Sequence, residues 1–293
     1  MSRFGTVIVI LLGFGITDAA ADDKVARGAY LIRVAGCVSC HTDTKDGGAP
    51  LAGGRGLKTP FGVFYSPNIT PHSETGIGRW SEQDFLDALR HGRRPGGGDY
   101  FPVFPYPSYT AMRAEDALAI KAYLFALAPV ERPNKAHDVA APFSWRWTIG
   151  LWKWLFFAPG PWLDRAERDA AWNRGGYLVH ALAHCGECHT ARNFMGAMQP
   201  SRFLAGTSYG PDGELVPNIT PDPETGIGDW NETDIVQLLR DGTKPDYDDV
   251  QGSMAEVIRD GLGYLNDEDL NAIARYLRTV PAIVHRVESR EEN

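Results

Sequence analysis

The four cysteines of this 293-residue chain fall into two copies of one pattern, Cys37-Val-Ser-Cys40-His41 and Cys185-Gly-Glu-Cys188-His189, and none is left over. Two thiols one helical turn apart can add to the two vinyl groups of a haem, and the histidine that follows then lies under the iron as its proximal ligand. The spacing therefore marks Cys37, Cys40, Cys185 and Cys188 as attachment residues for two covalently bound haem c groups, with His41 and His189 as iron ligands. Other uses of cysteine fit less well. A four-cysteine zinc site wants its pairs about 15–20 residues apart, redox-active dithiols need no histidine after each pair, and the default of disulfides in an exported chain explains neither histidine.

The sixth iron position asks for a second ligand type. A methionine thioether is soft, favours ferrous iron and raises the potential, as suits an electron carrier. Between residues 22 and 132 the only methionine is Met112, which makes it the default for the first iron. It stands directly before a closing helix, where the second copy has Leu265, so an ordinary packing role competes with ligation. Another ligand, or an open iron, stays in play there. The second copy offers Met195, Met198 and Met254. The first two follow His189 closely and read as core, while Met254 lies a loop's length before the closing helix. His72, His91, His137, His180, His184 and His285 read as surface or supporting residues and not as ligands.

The elements that must position these residues are duplicated. Arg27-Gly-Ala-Tyr-Leu31 before the first motif recurs as Arg174-Gly-Gly-Tyr-Leu178 before the second, whose approach is one residue longer. Ser66-Pro-Asn-Ile-Thr-Pro71 through Gly92 matches Val216-Pro-Asn-Ile-Thr-Pro221 through Gly242 without a gap. Both copies carry Glu-Thr-Gly-Ile-Gly and then Trp80 or Trp230. Helices are expected over about 23–35 and 172–183 leading into the motifs, over 81–92 and 231–242 with capping pairs Ser81/Asp84 and Asn231/Asp234, and over 114–127 and 267–279, the last capped by Asn266 with Asp269. Strand signals are scarce. The expected architecture is all-α, with tandem haem domains at 22–132 and 172–293 joined by a linker at 133–171.

That linker holds Trp145, Trp147, Trp152, Trp154 and Trp162. It reads as wrapping that covers apolar surface, in competition with an exposed docking face. Asn68-Ile-Thr70 and Asn218-Ile-Thr220 match the glycosylation sequon but read as loop structure near the haem. The glycine runs lack the strand-turn-helix context of a nucleotide-binding loop.

With 43% hydrophobic and 23% charged residues the chain can bury a sizeable core. A formal charge of −8 and a pI near 5.5 argue against a nucleic-acid or anionic-membrane partner and for a protein with a basic patch. Residues 1–21 read as an export signal: Arg3 supplies the positive end, Thr6 to Ile16 the apolar stretch and Ala19-Ala20-Ala21 the cleavage site. The expected location is the periplasm, with no transmembrane segment in the mature chain.

The double C-x-x-C-H, the paired Pro-Asn-Ile-Thr-Pro and Glu-Thr-Gly-Ile-Gly-x-Trp stretches, Phe104-Pro-Tyr-Pro-Ser-Tyr109 and Trp172-Asn-Arg-Gly-Gly-Tyr-Leu-Val179 resemble the multihaem cytochrome c subunits of periplasmic alcohol, aldehyde and gluconate dehydrogenases and their two-haem relatives. The resemblance covers nearly the whole mature chain. It implies two tandem class I cytochrome c-like domains with low-spin His/Met irons. It also implies electron transfer from a dehydrogenase to a cytochrome, a quinone-linked complex or an oxidase, without substrate chemistry of the chain's own. Such relatives present the distal sulfur where Met254 stands, and often carry methionine where this chain has Phe104. Membrane-bound members are typically larger, with a third haem and a C-terminal membrane-binding segment. The rival is a two-haem enzyme such as a peroxidase, which needs one open or displaceable iron position.

Overall fold

The computed structural model describes residues 16–288, so residues 1–15 of the expected export signal lie outside the described residues. The first helix, α1 (Ile16–Val34), begins earlier than expected and runs through the expected cleavage site. It leads into α2 (Cys37–Cys40). Then come α3 (Glu82–His91), the short α4 (Tyr106–Tyr109) and the closing helix α5 (Ala114–Ala126). After α6 (Trp147–Phe156) the order recurs: α7 (Ala170–Tyr177), α8 (Gly186–His189), α9 (Glu232–Asp241), α10 (Gly252–Asp260) and α11 (Asp267–Leu277).

In each copy the leading helix crosses the closing helix at a glycine. A Cβ on Gly28 would stand 2.0 Å from the Ala119 carbonyl oxygen, and one on Gly175 1.9 Å from that of Ala272. Any side chain there would force the helices apart. The middle helices begin as the sequence requires, with reciprocal capping boxes at Ser81/Asp84 and Asn231/Asp234, and end at left-handed Gly92 and Gly242. The extra residue in the second approach is absorbed by a π-helical turn, Leu178–Leu182, directly after α7. That is how a one-residue insertion sits in a helix without breaking it.

The all-α expectation is overturned. A three-stranded antiparallel sheet, ordered β1 (Gly56–Thr59), β2 (Gly62–Tyr65), β3 (Asp138–Val139), occupies stretches read from sequence as loop and linker. Gly56 pairs with Tyr65 and Thr59 with Gly62 across a two-residue turn, and Gly62 pairs onward with Val139. Val63, Phe64 and Tyr65 are β-branched and aromatic, which suits a half-buried pleated surface. Phe64 is buried against Phe101 and against Ile149 of α6. The second copy has no counterpart of this sheet among the described residues.

The main core is continuous across both copies. Leu31, Met112, Ile120 and Leu124 of the first share one buried cluster with Tyr177, Leu182, Ile235, Leu270 and Ile273 of the second. The repeats are therefore not two separately cored units. Among the described residues, no helix is long and apolar enough to cross a membrane.

Candidate functional site

The residue before each cysteine motif takes a left-handed conformation, Gly36 at φ 65° and His184 at φ 40°, and so turns the chain from the leading helix into the motif. None of the four cysteines is joined to another in a disulfide. The His41 amide bonds back to the Cys37 carbonyl at 2.8 Å, and that of His189 to Cys185 at 2.9 Å. One helical turn thus sets both sulfurs and the imidazole on a common scaffold. The surrounding protein desolvates the thiols and pushes Cys37, Cys185 and Cys188 up to about 12.

The imidazoles show what the site is arranged to hold. His41 Nδ1 lies 2.8 Å from the Pro67 carbonyl oxygen, and His189 Nδ1 lies 2.9 Å from that of Pro217. A carbonyl only accepts, so each Nδ1 carries the proton and donates it. Each Nε2 keeps its lone pair for a metal, the arrangement by which outer hydrogen bonds orient a ligating histidine. Burial holds both rings below the ordinary histidine range, hence neutral. Donor set and tautomer fit haem iron at both motifs. Among the described residues, no group of three or more His, Cys, Asp or Glu is placed to hold a bare metal ion.

Pro67 and Pro217 are positioned by the asparagines that follow them. Asn68 donates from Nδ2 to the Val130 carbonyl at 2.8 Å and accepts at Oδ1 from the Thr70 hydroxyl at 2.7 Å. Asn218 does the same to Ile283 and from Thr220, both at 2.8 Å. Both asparagines are buried, so the sequons serve as internal struts and offer no amide to a glycan.

The candidate distal residues differ between copies. Met112 is fully buried in the main core, and its counterpart Leu265 is buried in the same cluster. Met254 lies on α10, half-buried, packed against that core. At the gapless offset of the middle segment, Met254 corresponds to Phe104, which packs edge-on against Tyr100, Tyr106 and Tyr109. Met195 packs beside Tyr106 and Trp152, and Met198 pairs across a backbone bridge with Arg192.

Sequence reasoning missed how the two copies brace one another. Arg27 Nε donates to Asp116 Oδ1 at 2.7 Å within the first copy, and the Tyr177 hydroxyl of the second donates to Asp116 Oδ2 at 2.6 Å. In the mirror arrangement Arg174 donates to Asp269 at 2.7 and 2.6 Å, and the Tyr30 hydroxyl donates to Asp269 Oδ2 at 2.7 Å. Each hydroxyl also accepts from the backbone at the start of the opposite closing helix, Tyr177 from Arg113 and Tyr30 from Asn266. The motifs are braced likewise. Ser108 donates to Glu187 inside the second motif at 2.5 Å, and Arg55 ties the Ser39 carbonyl inside the first motif to Glu256 of α10. His184, read as a supporting residue, sits between the motifs: its ring meets Tyr109 edge-on at 5.3 Å and its Nε2 lies 3.5 Å from where a Gly36 Cβ would be. The Tyr109 hydroxyl in turn donates to the Ala35 carbonyl. The sequence signal for this brace was the repeated Arg-Gly-x-Tyr-Leu, whose tyrosine faces the other copy.

No family model matches the chain. A diheme c-type cytochrome of Cereibacter sphaeroides is 42% identical over 269 residues, covering 90% of this chain and 88% of the relative. The cytochrome subunit of fructose dehydrogenase from Gluconobacter japonicus is 41% identical over 287 residues, and the cytochrome c subunit of gluconate 2-dehydrogenase from Pantoea cypripedii 40% over 293. Each of these two alignments covers 94% of this chain, but only 58% and 65% of the relatives, so the chain spans about three-fifths of the dehydrogenase subunits it matches. The double haem motif, the matched histidine tautomers and these relatives place the chain in the cytochrome c family that comprises diheme c-type cytochromes and the cytochrome c subunits of fructose, gluconate and alcohol dehydrogenases.

Proposed function

We propose that the chain is a periplasmic dihaem cytochrome that takes electrons from a dehydrogenase and passes them to a respiratory acceptor. Cys37 and Cys40 attach one haem c and Cys185 and Cys188 the other. His41 and His189 are the proximal ligands, and Met112 and Met254 the distal ones. The observation that carries this reading is the pair of matched bonds from Nδ1 to the proline carbonyls, which leave both Nε2 atoms ready for iron. Haem c, when bound, supplies the one-electron couple. The residues of the chain hold the imidazoles neutral and oriented, exclude water, and fix the two motifs against one another. The haem-bearing units are 22–132 and 172–293, with 133–171 joining them. Names of relatives support a dehydrogenase as donor, and that of an alcohol dehydrogenase (quinone) subunit from Gluconobacter oxydans supports a quinone-linked acceptor. A cytochrome or an oxidase is the other acceptor class.

Intact mass and a pyridine haemochrome assay of protein matured in a periplasm test the core of this reading. Two haems per chain are expected, and one in Cys37→Ala/Cys40→Ala. Fewer than two in the wild type refutes it. Native purification tests the donor, with a dehydrogenase expected to co-elute or to reduce the purified cytochrome.

A further inference from the structure

The tryptophan-rich segment divides into two populations. Trp152 is buried and donates from Nε1 to the Met195 carbonyl at 2.9 Å, while Ile149 packs on Phe64 and Phe101. Lys153 is drawn inward onto Asp99 at 2.5 Å and onto the His91 carbonyl at 2.6 Å. These contacts pin the inner face of α6 to the body of the protein. The outer face presents Trp147, Leu151, Trp154 and Leu155, at the spacing i, i+4, i+7, i+8 of one helical stripe. Trp147 is 73% exposed and Trp154 79%. Phe143 and Trp145, just before the helix, and Phe156 at its end are also exposed. An exposed apolar patch of this kind on an otherwise ordinary surface marks an interaction site.

Its border is basic in an acidic protein. Arg93 and Arg94 are exposed on the loop after α3, and Arg94 lies close enough to Arg146 to act on its charge. Among the described residues none of these three arginines has a carboxylate partner. The overall charge of −8 therefore hides a local face of opposite character. We infer that this face seats on an anionic lipid surface, with α6 lying in the plane of the headgroups. The outer stripe offers no polar side chain apart from indole N–H groups. A protein interface ordinarily supplies about one hydrogen bond per 100–200 Å² and a polar rim of its own. A lipid boundary needs neither: it takes leucine into the acyl region, keeps indoles at headgroup depth and attracts arginines at the edge. The acidic remainder, repelled by the same lipids, orients the molecule with α6 facing down.

The test is flotation of the full-length mature holoprotein with vesicles, followed by haem absorbance and by protein stain. Vesicles of phosphatidylcholine with about a third phosphatidylglycerol should carry the protein up at low salt, and pure phosphatidylcholine or high salt should carry less. Trp147→Ser/Leu151→Ser/Trp154→Ser should weaken partitioning about tenfold or more while leaving melting and haem spectra unchanged, because these side chains hold nothing together inside the protein. Arg93→Gln/Arg94→Gln should weaken it only on the anionic vesicles. A wild type that stays at the bottom with anionic vesicles at low salt overturns the inference, as does a triple variant that floats equally well. Should the wild type fail to float while the triple variant loses its association with the dehydrogenase, the face docks protein and not lipid. Flotation does not depend on electron transfer, so its failure leaves the redox reading standing.

Discussion

Removing one hydroxyl tests the brace between the copies. Tyr177→Phe keeps the ring, and with it the packing, and deletes an O–H that donates to Asp116 and accepts from the Arg113 amide. Asp116 and Tyr177 both have essentially no exposed surface, so water cannot replace the lost partner. A hydrogen bond to a charged group contributes about 1.5–3 kcal/mol, and leaving the other partner buried moves the cost toward the upper end. Arg27 still holds the other carboxylate oxygen. The Arg113 position has no side-chain cap of its own, so its amide at the start of α5 loses its acceptor. The expected loss is about 2–3 kcal/mol, read as a lower denaturant midpoint at constant m-value. In a thermal scan that is roughly 4–10 °C for a protein of this size.

Tyr30→Phe should cost less, about 1–2 kcal/mol, since Tyr30 is only half-buried and Asp269 keeps two bonds from Arg174. A double-mutant cycle of Tyr177→Phe with Asp116→Asn isolates the pair, and a coupling of about 1–3 kcal/mol is expected. A Tyr177→Phe loss below about 0.5 kcal/mol, or a coupling near zero, refutes the claim that the hydroxyl braces the two copies.

Gly175→Ala should destabilise by about 2–3 kcal/mol or prevent folding, because its Cβ meets the Ala272 carbonyl, and equilibrium denaturation reads this directly. Trp152→Ala should cost about 3–5 kcal/mol and Trp154→Ala less than about 0.5, although the two residues are only two positions apart in the sequence. The far-red sulfur-to-ferric-iron absorption should lose one component in Met254→Leu and the other in Met112→Leu. An unchanged spectrum in the Met112 variant removes Met112 as a ligand and turns attention to an open first iron.

How much of this could be read in advance depended on whether local chemistry sufficed. Cys37, Cys40, His41 and their second set are covalent requirements written at fixed spacing, and Ser81, Asn231, Gly92 and Gly242 satisfy helix ends within three or four residues, so both were legible. The hairpin was passed over because Gly56-Leu-Lys-Thr59 carries little strand signal, although Gly62-Val-Phe-Tyr65 does. In Trp147 to Phe156 nearly every residue is apolar, so no periodicity distinguishes the face that meets the protein from the face that does not. Only the positions of Phe64, Phe101 and Asp99 decide it. The reciprocal Tyr and Asp pairs join residues more than 60 positions apart, beyond any local rule.

What the duplication preserves and what it changes divide cleanly by role. The glycine crossing, the arginine-aspartate pairs, the tyrosine braces, the proline carbonyls behind the histidines and the asparagine struts occur twice, with matching distances that differ by about 0.2 Å or less. Most of these parts hold an imidazole or a helix crossing within one copy, whereas the tyrosine braces fix one copy against the other. A change in one tyrosine leaves a buried carboxylate in the opposite repeat short of a donor, so the two copies constrain one another. The parts that differ lie outside that mutual frame: the sheet and α6 on one side, and phenylalanine in place of methionine at the position matching Met254. On the proposed reading, a common scaffold with unequal distal surroundings would give the two irons unequal potentials without altering how either is held, because axial ligand and local polarity set the potential. Direction of electron flow can then be set at positions that carry none of the load between the repeats.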